Sequence, residues 1–344
     1  MSQFDYIKEI AKYGLENDQA QLLEVLNKLI DHSRKTKKVN FALQLQSILK
    51  EGLRSQETKG LSIVGSKKYF IQEDNREINE LIIEKLTSDY TFDNLVCSKD
   101  VKEDLEFLVD EHKGIDILNK FDLSVSNKIL FHGPSGCGKT LASYVLAGEL
   151  EKIMYVINLG AIVSSKLGET SKNLTKIFKK VSSEECIIFL DEFDSIGKVR
   201  DYNQDHGEMK RVVNTILQLF DYLPQNSVVI AATNQLQMID DALLRRFDLK
   251  VNLELPNKTQ IRELISKTIK KSPFKFKDKT ELTEIVNLSK GLSFYIIQKS
   301  IITSIKKTLF ANNKSKKENY DIDIKTLKTI LSKEKKAVNA KNQA

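Results

Sequence analysis

Residues 133–140 read GPSGCGKT, and no other stretch of this 344-residue chain constrains its fold as tightly. The run fits G-x-x-x-x-G-K-[ST], with a strand-like KILFH before it and a helix-like TLASYVLAGEL after it. Glycines let a backbone curl round phosphate oxygens, and the first amides of a following helix have no partner within that helix. In such a loop Lys139 reaches the β and γ phosphates of a nucleotide, and Thr140 holds Mg²⁺. Gly133, Pro134, Ser135, Gly136, Cys137, Gly138, Lys139, Thr140 and Leu141 are therefore the candidate phosphate cradle. The bland alternative is a Gly-rich turn that matches the pattern by chance, and the flanking strand and helix argue against it.

Downstream, residues 187–194 read IIFLDEFD, an apolar strand ending in acids. Asp191 can hold Mg²⁺ through its water shell, and Glu192 can orient and deprotonate an attacking water. An ordinary acidic exit from a strand is the competing explanation, and it weakens beside a phosphate loop. Together these runs indicate an ATP or GTP hydrolase. Next, VVIAATN ends at Asn234, at the tip of an apolar strand. There a side chain can position the lytic water or sense a γ-phosphate, or it can simply form a turn. DDALLRRFD, residues 240–248, sets Arg245 and Arg246 side by side. They read either as cations favoured at a helix C-terminus or as arginine fingers completing the site of a neighbouring subunit.

The remaining pattern supplies the architecture. Apolar, β-rich runs recur at 128–132, 153–159, 186–190, 228–232 and 249–253, separated by helical patterns such as 140–150 and 171–181. Strands alternating with helices argue for an α/β domain with a parallel sheet covered on both faces. The expected organisation is a small N-terminal helical unit at 1–52, a linker with a helix at 53–88, a nucleotide-binding domain at 89–256, and a helical lid with a basic tail at 257–344. A short third helix is expected near 39–49, a further helix at 76–88, and a frayed tail over KEKKAVNAKNQA at the end.

Charge divides along the same boundaries. The net +7 is the sum of +2 over residues 1–60, −8 over 61–256 and +13 over 257–344. Any charge-driven partner is thus sought at the C-terminal end. Three scattered cysteines and four scattered histidines give no disulfide framework and no zinc spacing. No apolar run approaches the roughly 18 residues of a membrane span, and the N-terminus lacks a secretory pattern. The expectation is a cytoplasmic protein with no membrane partner.

GPSGCGKT, IIFLDEFDSIG, VVIAATN and DALLRRFD, in this order and spacing, resemble an AAA-family ATPase module. YTFDNLVCSKDVKEDLEFLV, before the phosphate loop, resembles the segment that opens such modules, so the resemblance covers about residues 90–300. It implies a five-stranded parallel P-loop domain followed by a helical lid, Mg-dependent ATP hydrolysis, and a ring, usually a hexamer, with ATP between subunits. It implies Lys139 and Thr140 on phosphate and Mg²⁺, Asp191 and Glu192 as the Walker B pair, Asn234 as the first sensor, and Arg245 and Arg246 acting in trans. The segment near Val96 and Cys97 would lie against adenine. The layout also resembles compact bacterial ATPases often encoded beside a subtilisin-like serine protease, which implies a protein substrate or protease partner.

Three departures from the family pattern stand out. In SSKLGET, Lys166 precedes Leu167 where translocating members place an aromatic, so substrate threading does not follow. In GLSFYIIQ, Phe294 replaces the second Gly of the lid motif, and no Arg serves as a second sensor. FDYL, residues 220–223, replaces an Asp-Gly pair. A nucleic-acid-associated ATPase using the basic C-terminal region, and an ATP-bound scaffold, are the alternative readings. The N-terminal helices serve either to recruit a partner or as a structural collar.

Overall fold

The computed structural model describes residues 3–16, 18–36, 38–60, 81–163, 169–182, 185–196, 206–270, 274–276, 278–311 and 320–343. Three helices open the chain: α1 (Gln3–Leu15), α2 (Gln19–Lys35) and α3 (Val39–Gly60). Asp18 caps α2 by accepting from the Gln21 amide at 3.1 Å. Val25, Leu29, Ile30, Ala42 and Leu43 are buried in this layer. The third helix is not short, because the chain stays helical through Gly52 to Gly60, into the expected linker. The unit rests on the rest of the chain: Gln44 Nε2 donates to Thr87 Oγ1 at 3.2 Å, and Lys85 Nζ to Ser47 Oγ at 2.6 Å. Asn40 also donates to Asp89.

A six-stranded sheet follows, in the order β1-β3-β4-β5-β2-β6. Its strands are β1 (Ile82–Leu86), β2 (Lys128–His132), β3 (Met154–Ile157), β4 (Ile187–Leu190), β5 (Val228–Thr233) and β6 (Leu249–Asn252). Five strands are parallel, as expected, and β1 adds an antiparallel edge against β3. Ile82–Leu86 therefore corrects the helix expected over 76–88: the stretch pairs with Met154–Ile157 as an edge strand. Residues 61–80 lie outside the described residues.

Period-two alternation splits the buried strand residues between two cores. Ile188, Leu190, Val229 and Ala231 face one core, with Leu174, Ile177, Phe178, Ile216 and Phe220 from the helices α8 (Glu169–Ser182) and α9 (His206–Asp221). Ile187, Phe189, Val228 and Ile230 face the other, with residues of α4 (Lys99–Lys113) and α6 (Lys139–Glu149). Between these last two lies α5 (Ile115–Lys120), and α7 (Leu159–Val163) follows β3. Burial on both faces explains why the central strands are continuous apolar runs.

Helix α6 crosses the segment that enters the module. A Cβ on Gly148 would lie 2.0 Å from the Tyr90 carbonyl oxygen, which is backbone and cannot swing aside. Gly148→Ala is therefore expected to lower unfolding free energy by about 1–3 kcal/mol, the usual cost of overpacking, read by chemical denaturation.

After Asn252 come α10's successors in the lid. Asp241–Leu244, the short α10, precedes β6, and the lid comprises α11 (Lys258–Ile269), α12 (Lys279–Leu288), α13 (Phe294–Ala311) and α14 (Ile324–Gln343). A parallel pair of two-residue strands, Phe274–Lys275 and Tyr320–Asp321, was not expected in an all-helical region. Nor does the chain end in a frayed tail. α14 runs to Gln343, Leu327 and Leu331 are fully buried in the lid core, Val338 packs against it, and Lys335 Nζ donates to Leu288 O at 3.2 Å.

Candidate nucleotide site

The phosphate loop begins where β2 ends and stops where α6 begins. Gly133 adopts φ 134°, and a Cβ there would lie 2.2 Å from the Leu253 carbonyl oxygen. Gly138, at φ 95°, is the N-cap of α6 and offers no side chain to its first-turn amides. Those amides remain available to an anion, with the helix dipole adding to the attraction. Lys139 is 8% exposed, and its Nζ donates to Gly133 O at 2.7 Å and Pro134 O at 2.9 Å. Burial pushes its pKa down, opposed by Cys137, Asp191 and Asp194. The lysine is thus a desolvated cation curled within its own loop, a group that a phosphate oxygen would satisfy better than two carbonyls.

Asp191 and Glu192 follow β4 directly. Asp191 Oδ2 lies 3.4 Å from Thr140 Oγ1, and Oδ1 accepts from the Glu192 amide at 2.8 Å. A hydroxyl and a carboxylate this close form an oxygen donor set suited to Mg²⁺, which keeps most of its waters and takes one or two protein oxygens. Glu192 sits at φ 51°, the left-handed region that non-glycine residues adopt at a cost of order 1–3 kcal/mol. Buried Asp194 accepts from Thr233 Oγ1 at 3.1 Å, and that same oxygen accepts from the Gln235 amide at 2.9 Å. This bridge ties the end of β5 to the turn after β4 and sets Asn234 beside Glu192's strand.

These groups converge on one cleft of about 1000 Å³, lined by Ser135, Gly136, Gly138, Lys139, Thr140, Leu141, Asp191, Glu192 and Asn234. Cys137 turns away into the core, 3% exposed, with its thiol pKa raised by burial. Val96 lines the cleft. Cys97 next to it is held among lid and α4 side chains, its thiol pushed up to about 11 mainly by burial.

Arg245 and Arg246 do not join this cleft. Both are exposed beyond the end of α10, and Arg246 Nη1 pairs with Asp221 Oδ1 at 2.7 Å. Asp221 belongs to the FDYL run that departs from the family pattern. Phe247, 4% exposed, meets Phe193 edge-on at 5.8 Å and Phe220 at 5.4 Å. One aromatic cluster therefore anchors the neighbours of Glu192, Asp221 and Arg246. Residues 164–168, including Lys166 and Leu167, lie outside the described residues.

Sequence reasoning missed most of the cleft's other wall. Tyr90, Asp93 and Asn94 enter from the segment before α4, and Leu264, Lys267, Thr268, Lys270, Tyr295 and Gln298 from the lid. The lid docks on the loop itself: the Tyr295 amide donates to Gly136 O at 3.1 Å, and a Gly136 Cβ would lie 2.7 Å from Ser293 Oγ. Lys267 Nζ reaches across to Leu95 O at 3.0 Å. Helical spacing is the one signal that groups them, since Leu264, Lys267 and Thr268, and Tyr295 and Gln298, fall on single faces. Phe294, at the position of the missing lid glycine, also lines the cleft.

Residues 129–255 match the model of the ATPase family associated with various cellular activities (AAA). The chain carries an AAA module, a mostly parallel P-loop sheet with helical flanks. It is 28% identical over 311 residues to an uncharacterized AAA family ATPase of Sinorhizobium fredii, covering 90% of each chain. It is 34% identical over 168 residues to a protein of Methanocaldococcus jannaschii named only as a homolog of the 26S proteasome regulatory subunit, covering 48% of this chain and 45% of that one. A like-named protein of Methanothermobacter marburgensis is 26% identical over 251 residues, 72% of this chain and 63% of that one. None of the described helices is long and apolar enough to cross a membrane.

Proposed function

We propose that this chain is a Mg-dependent ATPase that assembles into a ring, most simply a hexamer, and remodels protein partners in the cytoplasm. The carrying observation is the convergence of Lys139, Thr140, Asp191, Glu192 and Asn234 on one cleft at the C-terminal ends of parallel strands, where ligands bind in open α/β sheets. Lys139 and the first amides of α6 bind the phosphate chain and orient it. Glu192 takes the proton of an attacking water, and Asn234 holds that water in line. Thr140 and Asp191 hold the cation, whose chemistry is to neutralise charge on the phosphates. Arg245 and Arg246 serve the cleft of the next subunit.

Lys139→Ala is expected to abolish nucleotide binding, measured by titration with a fluorescent ATP analogue. Phosphate release by the unaltered chain should require ATP and Mg²⁺ and stop with EDTA. A Lys139→Ala protein that binds and hydrolyses ATP normally contradicts the assignment. The names of the archaeal relatives favour a protein partner, a protease among them. ATPase stimulation by an unfolded protein supports this, and stimulation by DNA supports the nucleic-acid alternative.

A further inference from the structure

The chain carries two exposed faces that are opposite in charge, and each has apolar side chains at its centre. The first is on α4 and α5. Phe107 is 64% exposed, Ile117 61%, Phe121 72% and Leu123 54%. Residues 99–123 surround them with eight acidic and four basic side chains. Two of those lysines are already paired within α4, Lys99 with Glu103 and Lys102 with Glu106. The second face is on the lid. Along α13, Lys299, Ile302, Lys306, Leu309 and Phe310 share one helical face, and all five are exposed, Phe310 by 77%. α13 and α14 together hold nine lysines and one glutamate.

Large apolar side chains standing out in groups mark interaction surfaces. What covers them is argued by the charges. The lysines carry no interleaved aromatic ladder for stacking bases, and Phe310 and Leu309 project among them instead. An acidic face with an apolar centre complements a basic face with an apolar centre, and this chain supplies both. We infer that the α4–α5 face of one copy docks on the α13 face of the next, with electrostatic attraction between the acidic module and the basic lid. The contact joins two different surfaces, so it is heterologous, and it propagates from copy to copy until it closes. That geometry suits a chain whose Arg245 and Arg246 stand outside its own cleft. The inference rests on the ring reading above and names the surfaces that would build the ring.

The test uses the full chain with Mg²⁺ and a non-hydrolysable ATP analogue, with mass measured by sedimentation velocity. The unaltered chain should form large assemblies, and these should dissociate as salt rises from about 50 to 300 mM, because screening shortens the reach of the charges. Phe121→Asp and Phe310→Asp should each leave monomers. A one-to-one mixture of the two should stop at dimers, because each pair keeps one intact junction and no more. A triple change of Lys299, Lys306 and Lys307 to Glu alters only exposed positions. It should raise the assembly dissociation constant at least about tenfold with an unchanged melting temperature. Assemblies unaffected by these substitutions overturn the proposed faces while leaving the ring reading intact. A chain that is monomeric under all conditions, yet hydrolyses ATP, overturns the ring reading as well. If the triple variant assembles normally but loses salt-sensitive binding to a DNA duplex, the lysine face serves nucleic acid and the inference fails.

Discussion

Replacing Arg246 with alanine is expected to lower ATP turnover by about 10³–10⁵ while nucleotide affinity changes little, the effect of removing an arginine finger supplied from outside a site. The arginine cannot act on its own cleft as the chain stands, because it lies at the end of α10, paired with Asp221 at 2.7 Å. That pair is half exposed on both sides, 49% and 44%, and exposed pairs contribute about 0–1 kcal/mol. A γ-phosphate in a closed interface offers a stronger, charge-assisted partner. Exchanging Asp221 for a phosphate therefore costs little. Phe247 keeps the backbone beneath the arginine fixed through its contacts with Phe193 and Phe220. Asp221→Ala is the control. It removes the partner in the same chain and should change turnover no more than a few-fold. An equal loss in both variants would mean that Arg246 serves only the fold.

Glu192→Gln is expected to lower turnover by about 10²–10⁴, the range for losing a general base, while nucleotide binding persists. The amide is nearly isosteric, so the φ 51° turn and the bond from the residue 192 amide to Asp191 Oδ1 at 2.8 Å are kept. What is lost is the ability to accept a proton. The phosphate loop, Lys139 and the Thr140–Asp191 pair are untouched by the change, so affinity should hold. Phosphate release and titration with a labelled nucleotide separate the two effects.

The division between what could be read from the chain and what could not follows from how each part is held. The central strands were legible because both faces are buried, which writes them as apolar runs such as IIFL and VVIAA. The phosphate loop was legible because Gly133 and Gly138 occupy positive φ, and because the close approach of Leu253 at Gly133 excludes a Cβ. β1 was not legible. IIEKL is short, mostly exposed and on an edge, and its identity comes from pairing with Met154–Ile157 rather than from its own pattern. The end of α14 misled for another reason. Its lysines suggested a solvated tail, yet Leu327, Leu331 and Val338 mark a face that packs on the lid, with lysine stems lying over apolar surface. The lid wall of the cleft carried no motif, because Lys267, Thr268 and Gln298 reach it only through the docking of two helices.

The central claim is that ATP is hydrolysed at a site built by two copies of this chain. Mixing Arg246→Ala and Glu192→Gln subunits tests it directly. Each variant alone should be nearly inactive. In the mixture, some junctions pair an intact Glu192 cleft with a neighbour's intact Arg246, and phosphate release should return to a measurable fraction of the unaltered rate. A mixture as inactive as its two components, at concentrations where the chains assemble, would contradict the shared site.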